Sequence, residues 1–454
     1  MPKADSPLTQ PVAEVGLAPV KVTQSADLIA ALEAAKTRFV ERNPKSKQLF
    51  EDACEILPGG NTRTLLYSAP FPVCMKKGEN YQVFDEDGHV YTDLVGELTA
   101  ALYGHSHPLI QESIISTVKN VGLNLGATIA QEAVHARLIC QRFGLDKVRF
   151  CNSGTEANLH ALAAARHFTG KRKVVVFSGA YHGAVLGFWD GVQPNGVDKD
   201  DWVIGKYNDL ASARALIENE DIAAVMVEGM QGAGGCISGT DEFLLQIQSS
   251  AKKVGAIFIL DEVMTSRLGP AGLADIVGIK PDLKTFGKYL GGGMAFGAFG
   301  GSADLMAVYD PRSATSLAHS GTFNNNTLAM NSGYVGLNNI WTPDIAVEFN
   351  KMGDVFRAKL QELTKGTKMS VTGRGALNAI HFSEQGEREL SCREDIVEDW
   401  GLKDLFFIEI MEDGFWITRR GSIAMILGTP QSELDRFCEC VSMFLERHRA
   451  LVKL

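Results

Sequence analysis

A chain of 454 residues with 45% apolar content can bury two or three hydrophobic cores at roughly 150 residues per domain, which excludes a single small binding module. Its formal charge of −10, from 44 basic and 54 acidic residues, supplies neither the basic face nucleic acid requires nor a polybasic run for an anionic membrane, so small molecules are the expected partners. The eight cysteines, Cys54, Cys74, Cys140, Cys151, Cys236, Cys392, Cys438 and Cys440, form no CxxC pair and no zinc-ligand spacing, and read as reduced thiols of a cytoplasmic protein without a metal site.

Residues 1–25 read as a flexible tail rich in Pro, Ala, Val and Thr, without the basic start and apolar centre of a secretory signal. Ala26–Glu41 carries Leu28, Ile29, Leu32, Ala35 and Phe39 at helical spacing, which predicts a docking helix. A second helix over Lys47–Leu57 stops at Pro58-Gly59-Gly60, so Arg63 falls on a turn, where a side chain is free to meet a ligand. Short strands around Tyr81–Phe84 and Val90–Asp93 flank Asp85-Glu-Asp-Gly88, a hairpin turn.

Over residues 100–342 the pattern changes. Val148–Cys151, Val174–Phe177, Ala223–Val227, Ile257–Leu260 and Leu283–Phe286 are short apolar runs, and helical stretches such as Glu156–His167, Ala211–Ile217 and Glu242–Val254 lie between them. This alternation predicts an α/β domain with a mostly parallel sheet covered on both faces and a ligand beyond the carboxyl ends of its strands. From Pro343 the chain reads as α+β, with an amphipathic helix over Ile345–Leu363, strands at Asn378–Phe382 and Phe415–Thr418, and a helix over Ser432–Val452. The expected organisation is a small domain from residues 26–99 and 343–454 around a large one from 100–342.

Three stretches carry chemistry. Asn152-Ser153-Gly154-Thr155-Glu156 follows a strand and opens a helix, a position whose free N–H groups suit a phosphate; taken alone, the stretch reads more readily as a plain N-cap, with Ser153 or Thr155 capping and Glu156 in the first turn. Asp261 ends an apolar strand, where a carboxylate stays charged beside a cation such as a protonated pyridine nitrogen; a helix cap or a strand-end metal ligand is the alternative, and no His or Asp spacing supports the metal. Lys288 stands between Phe286-Gly287 and Tyr289-Leu290, ahead of Gly291–Gly293. Apolar surroundings lower a lysine's pKa toward the neutral amine that attacks an aldehyde, whereas a lone lysine is ordinarily a solvated surface group. A nucleotide-loop reading fails, because no Ser or Thr follows Lys288 and position 282 is Asp.

Taken together, Ser153-Gly-Thr-Glu-Ala-Asn158, Tyr181-His-Gly183, Asp261-Glu-Val263, Gly287-Lys288 and Gly321-Thr322-Phe323 resemble the motifs of the class III, fold type I pyridoxal phosphate aminotransferases over roughly residues 45–430. The resemblance implies a seven-stranded sheet and pyridoxal phosphate as cofactor. It implies that Lys288 is the Schiff-base lysine, that Asp261 binds the pyridine nitrogen, and that Val263 and Tyr181 sandwich the ring. Ser153, Gly154 and Thr155 would hold the phosphate, His182 and Glu228 would belong to the cofactor site, and Thr322 would reach the phosphate from a neighbouring subunit, making a homodimer with shared sites.

Met264 stands where many members carry Gln after Asp-Glu-Val, a departure similar to the side branch that includes glutamate-1-semialdehyde aminomutase. Within that branch Pro58-Gly-Gly-Asn-Thr-Arg63, Ala69-Pro-Phe-Pro72, Asp261-Glu-Val-Met-Thr-Ser-Arg267 and His319-Ser-Gly-Thr-Phe-Asn-Asn-Asn326 look most like the aromatic β-amino acid aminotransferases. The expected reaction is amino transfer by a ping-pong mechanism from an aromatic β-amino acid, such as β-phenylalanine, or a related amine, to 2-oxoglutarate or pyruvate. The alternative is intramolecular transfer of the aminomutase kind. Arg63 is similar to the arginine that holds the β-amino acid carboxylate, and Arg420 to the one that holds an α-carboxylate. Arg419 and Arg420 adjoin on a strand-like stretch and should point to opposite faces, so that only one enters the site. Tyr67, Phe71 and Phe323 would wall an aromatic side chain or pack in the core.

Overall fold

The computed structural model describes residues 25–219, 221–386 and 389–454; the tail expected over residues 1–25 lies, apart from Ser25, outside the described residues. The centre is a seven-stranded sheet in the order Lys147–Cys151, Gly297–Gly301, Leu283–Gly287, Ile257–Asp261, Ile222–Glu228, Lys173–Phe177 and Trp202–Gly205. Every neighbouring pair is parallel except the two that Gly297–Gly301 makes. All residues of Ile222–Glu228 and of Ile257–Asp261 are buried, which is why these strands read as unbroken apolar runs and not as alternating ones. Each large apolar side chain so buried contributes about 1.5–3 kcal/mol.

The sheet carries two strands that the apolar pattern does not announce, Trp202–Gly205 and Gly297–Gly301. In the second, glycine is required by close approach of backbone. A Cβ at Gly297 would stand 2.1 Å from the Ser153 carbonyl oxygen, and one at Gly301 would stand 2.1 Å from that of Asp282.

The segments flanking the sheet domain meet each other. Strands Gln82–Asp85 and Val90–Asp93 form the expected hairpin, and Val90–Asp93 pairs in parallel with Phe415–Trp416 from the far end of the chain. Helix Ala26–Arg42 packs on helix Trp400–Glu412, and Arg38 donates to Glu412 at 3.0 Å. Helices Pro343–Thr364 and Trp400–Glu412 pack on the three-stranded sheet Met369–Arg374, Leu377–Phe382 and Ser422–Ala424, and helix Gln431–Arg447 packs on both of those helices. The register Asp261↔Glu228 and Asp261↔Thr285 sets the carboxyl ends of three strands level, and they open toward this second unit.

Candidate active site

A cavity beyond those strand ends is lined by Gly154, Thr155, Asn158, Tyr181, His182, Glu228, Asp261, Val263, Met264, Lys288 and Arg420. The sequence-derived residues Gly154, Thr155, Tyr181, His182, Glu228, Asp261, Val263, Lys288 and Arg420 are thus brought together, with Ser153 next to them as the N-cap of helix Gly154–Thr169. Thr322 is not; it is exposed on the surface.

The anion end follows from how that helix begins. Ser153 Oγ accepts from the Glu156 N–H at 3.2 Å, and the N–H groups of Gly154 and Thr155 lie in the first turn, where a helix has no internal acceptor for them. Two glycines shape the cup. A Cβ on Gly154 would stand 2.8 Å from a Val263 methyl, and one on Gly183, whose φ is +131°, would stand 2.3 Å from Thr155 Oγ1. Helix start, Val263 and the Tyr181–Gly183 turn therefore sit closer together than side chains would permit.

At the deep end Asp261 is buried and fully engaged. Its Oδ2 accepts from Asn158 Nδ2 and faces His182 Nδ1, both at 2.8 Å, and its Oδ1 accepts from the Val263 N–H at 2.9 Å. Asn158 is fixed in turn by Thr285 Oγ1, which donates to its carbonyl at 2.6 Å. Asn158 and Thr285 are site residues that sequence reasoning missed. Asn158 closes the Ser153–Asn158 motif, one helical turn beyond the cup, and a polar amide within an alanine-rich helical stretch was the available signal. Glu228 accepts from the Tyr181 and Gly232 N–H groups at 2.8 and 3.1 Å, and burial pushes its carboxyl up to about 7.

Lys288 leaves its strand with φ +59°, and its Nζ donates to the Leu98 carbonyl at 2.7 Å. The residue opens part of its surface to the cavity but is otherwise surrounded by protein, and this burial lowers the amine to about 8 against the pull of Asp261. An amine near neutrality, a fixed carboxylate opposite and an anion cup at a helix start match a flat heterocycle bearing an aldehyde, a basic ring nitrogen and a phosphate. Met264 lies against Gly232, where a Cβ would be 1.9 Å from its sulfur, so an apolar thioether borders the ring slot in place of an amide.

A wider outer cavity joins the first through Leu65, Leu98, Tyr181, Ala233, Arg420 and Ser422. Arg63 lines it and pairs with Glu97. The expected strand at Phe415–Thr418 ends at Trp416, and Arg419 and Arg420 occupy a turn closed by the Gly421 N–H on the Thr418 carbonyl at 2.8 Å. They do not alternate across a strand, and both reach the outer cavity. The Asp404 carboxylate engages Arg419 at 2.6 and 3.1 Å, while Arg420 lies over Trp189, 5.9 Å from the ring centre, and alone of the two lines the cavity holding Lys288. Tyr67 lines the outer cavity; Phe71 packs in the core against Phe39, and Phe323 is on the surface.

The family described as Aminotransferase class-III matches residues 67–194 and 197–441. An uncharacterised aminotransferase of Schizosaccharomyces pombe is 46% identical over 435 residues, covering 95% of this chain and 99% of that protein. The beta-phenylalanine transaminase of Variovorax paradoxus is 46% identical over 427 residues, covering 93% and 97%. The crystal structure of the beta-phenylalanine aminotransferase from that organism superposes with a TM-score of 0.91 at 45% identity, covering 94% of this chain and 99% of that one.

Proposed function

The chain belongs to the class III aminotransferases, enzymes of the fold type I architecture that use pyridoxal phosphate, and from that premise we propose that its donor is an aromatic β-amino acid or related amine and its acceptor 2-oxoglutarate or pyruvate. The observation that carries this reading is the pair of arginines, Arg63 and Arg420, on one cavity that opens onto Lys288. Guanidinium groups hold carboxylates by two parallel hydrogen bonds. One that lines the cavity holding Lys288 and one that lines only the outer cavity suit two substrates that take turns, one with its amino group β and the other α to the carboxylate.

In this reading Ser153, Gly154 and Thr155 hold the phosphate, Val263 and Tyr181 flank the ring, Asp261 faces the ring nitrogen, and His182, Asn158 and Glu228 keep that carboxylate and the Tyr181 turn in place. When bound, pyridoxal phosphate supplies an electron sink for charge developing on the donor's amine-bearing carbon. Asp261, held by Asn158, His182 and the Val263 N–H, would present its carboxylate to that ring nitrogen. Lys288 Nζ, its pKa lowered to about 8 by burial, would take the proton from the donor's amine-bearing carbon and return it to the carbon that carried the cofactor's aldehyde. Leu65, Leu98 and Tyr67 exclude water around the donor's aromatic group.

The same reading makes the enzyme a cytoplasmic homodimer, with residues 100–342 binding the cofactor and residues 26–99 and 343–454 forming the smaller domain. Ile115, Val118, Leu123, Leu125 and Phe323 are all about half-exposed, and bonds from Asn325 to the Ala127 carbonyl and from Thr327 to the Gly122 carbonyl, both 2.9 Å, join their segments. Thr322 sits in this apolar neighbourhood, which supports burial against a second copy. The test is a panel of α-, β- and ω-amino acids and simple amines, each with both acceptors. Fastest turnover is expected for β-phenylalanine. Conversion of glutamate-1-semialdehyde without any acceptor would instead favour the aminomutase alternative.

A further inference from the structure

Gly96, Glu97, Leu98 and Thr99 all have positive φ, at 53°, 48°, 51° and 80°. Three consecutive residues with side chains in the left-handed region are disfavoured by contact of Cβ with backbone, so the surroundings must hold them there. A different cation holds each one. Arg63 pairs with the Glu97 carboxylate, Lys288 Nζ donates to the Leu98 carbonyl at 2.7 Å, and the buried Arg267 donates to the Thr99 carbonyl at 3.4 Å and to that of Met425 at 2.6 Å. The residue assigned to the donor's carboxylate and the residue assigned to the proton on its amine-bearing carbon thus grip adjacent positions of one strained turn.

We propose that Glu97 is an internal stand-in for the donor's carboxylate. It occupies Arg63 until a carboxylate-bearing donor displaces it, and it thereby sets the selectivity between donors with and without that group. Both Arg63 and Glu97 are about half-exposed, and an ion pair of that kind is weak enough for an incoming anion to break. A donor lacking a carboxylate leaves the pair intact and strands no bare guanidinium in the pocket. A donor carrying one must outcompete Glu97, so part of its affinity is spent on the exchange.

The inference rests on Arg63 as the carboxylate site, and the experiment separates the two. Equilibrium binding of 3-phenylpropionate to the holoenzyme is measured by calorimetry, and KM is compared for β-phenylalanine and for 1-phenylethylamine, which lacks the carboxylate. Arg63→Ala should weaken 3-phenylpropionate. Glu97→Gln should tighten it by about two- to fivefold, the range of an exposed ion pair, and should lower KM for β-phenylalanine but not for 1-phenylethylamine. Glu97→Asn, which suits left-handed backbone better than Gln does, should behave alike. Weakening by R63A without tightening by E97Q or E97N overturns the role of Glu97, as does an equal KM change for both donors. No effect of R63A overturns the carboxylate site itself and the proposal with it.

Discussion

Lys288, in the proposed reading the group that performs the chemistry, is also a cost to the fold. Its amine is lowered from 10.5 to about 8, chiefly by burial, which at about 1.4 kcal/mol per pH unit is ~3 kcal/mol of penalty in the cofactor-free native state. The native state binds fewer protons here than the unfolded chain between pH about 8 and 10.5, so stability rises with pH across that window. Lys288→Met, of similar length and uncharged, should therefore unfold less readily than the cofactor-free parent at pH 7. The advantage should be up to ~3 kcal/mol less what the Leu98 hydrogen bond contributes, and should shrink as pH rises through the window. Urea denaturation at several pH values checks it, and a constant difference would contradict the burial argument. Asn158 acts in the opposite sense, because it satisfies a buried carboxylate. Removing its bond to Asp261 in Asn158→Ala should cost about 1.5–3 kcal/mol, read as a tenfold or greater weakening of pyridoxal phosphate in a titration of the cofactor-free protein.

At the level of elements, legibility followed burial. Four of the five apolar strands of the sheet were readable because each is buried on both faces; Lys147–Cys151, at the sheet's edge and only partly buried, was readable from its short apolar run alone. Gly297–Gly301 escaped because three of its five residues are glycines, chosen for backbone approach and against strand propensity. Helix Trp400–Glu412 escaped because ten of its thirteen residues are buried, which leaves no polar stripe to mark a period. Arg419 and Arg420 were misread as strand residues because the turn that holds them is set by the Gly421-to-Thr418 hydrogen bond and by Asp404, partners that no local pattern reveals. In the site, motif residues were legible and their supports were not: Thr285 lies 127 positions from Asn158. The element most sensitive to one atom is the start of helix Gly154–Thr169. In Gly154→Ala the new Cβ would press on both Val263 methyls, at 2.8 and 3.0 Å. A branched side chain fixed at χ1 has little room to move. Cofactor affinity should fall by at least about tenfold while far-ultraviolet circular dichroism stays unchanged; full affinity would mean that Val263 and the helix start are less closely coupled than the packing requires.

For the whole molecule the open matter is where one active site ends and the next begins. Thr322 shares its surface with half-exposed Leu123, Leu125 and Phe323, and it stands apart from the cavity that holds Lys288. If each site takes its lysine from one copy and Thr322 from the other, two inactive proteins should repair each other. Lys288→Ala lacks the amine, and Thr322→Arg should block the phosphate end of its partner's site with a bulky side chain. Unfolding and refolding an equal mixture gives mixed dimers in half of the population, each with one site built from the intact lysine of one copy and the intact threonine of the other. Activity should return to about a quarter of the wild-type level under random two-fold pairing. Were Thr322 to serve its own chain's site, no pairing would unite an intact lysine with an intact threonine, and the mixture would stay inactive. A Thr322→Arg protein that is fully active alone would remove Thr322 from the site altogether. The apolar surface would then account for association without accounting for catalysis.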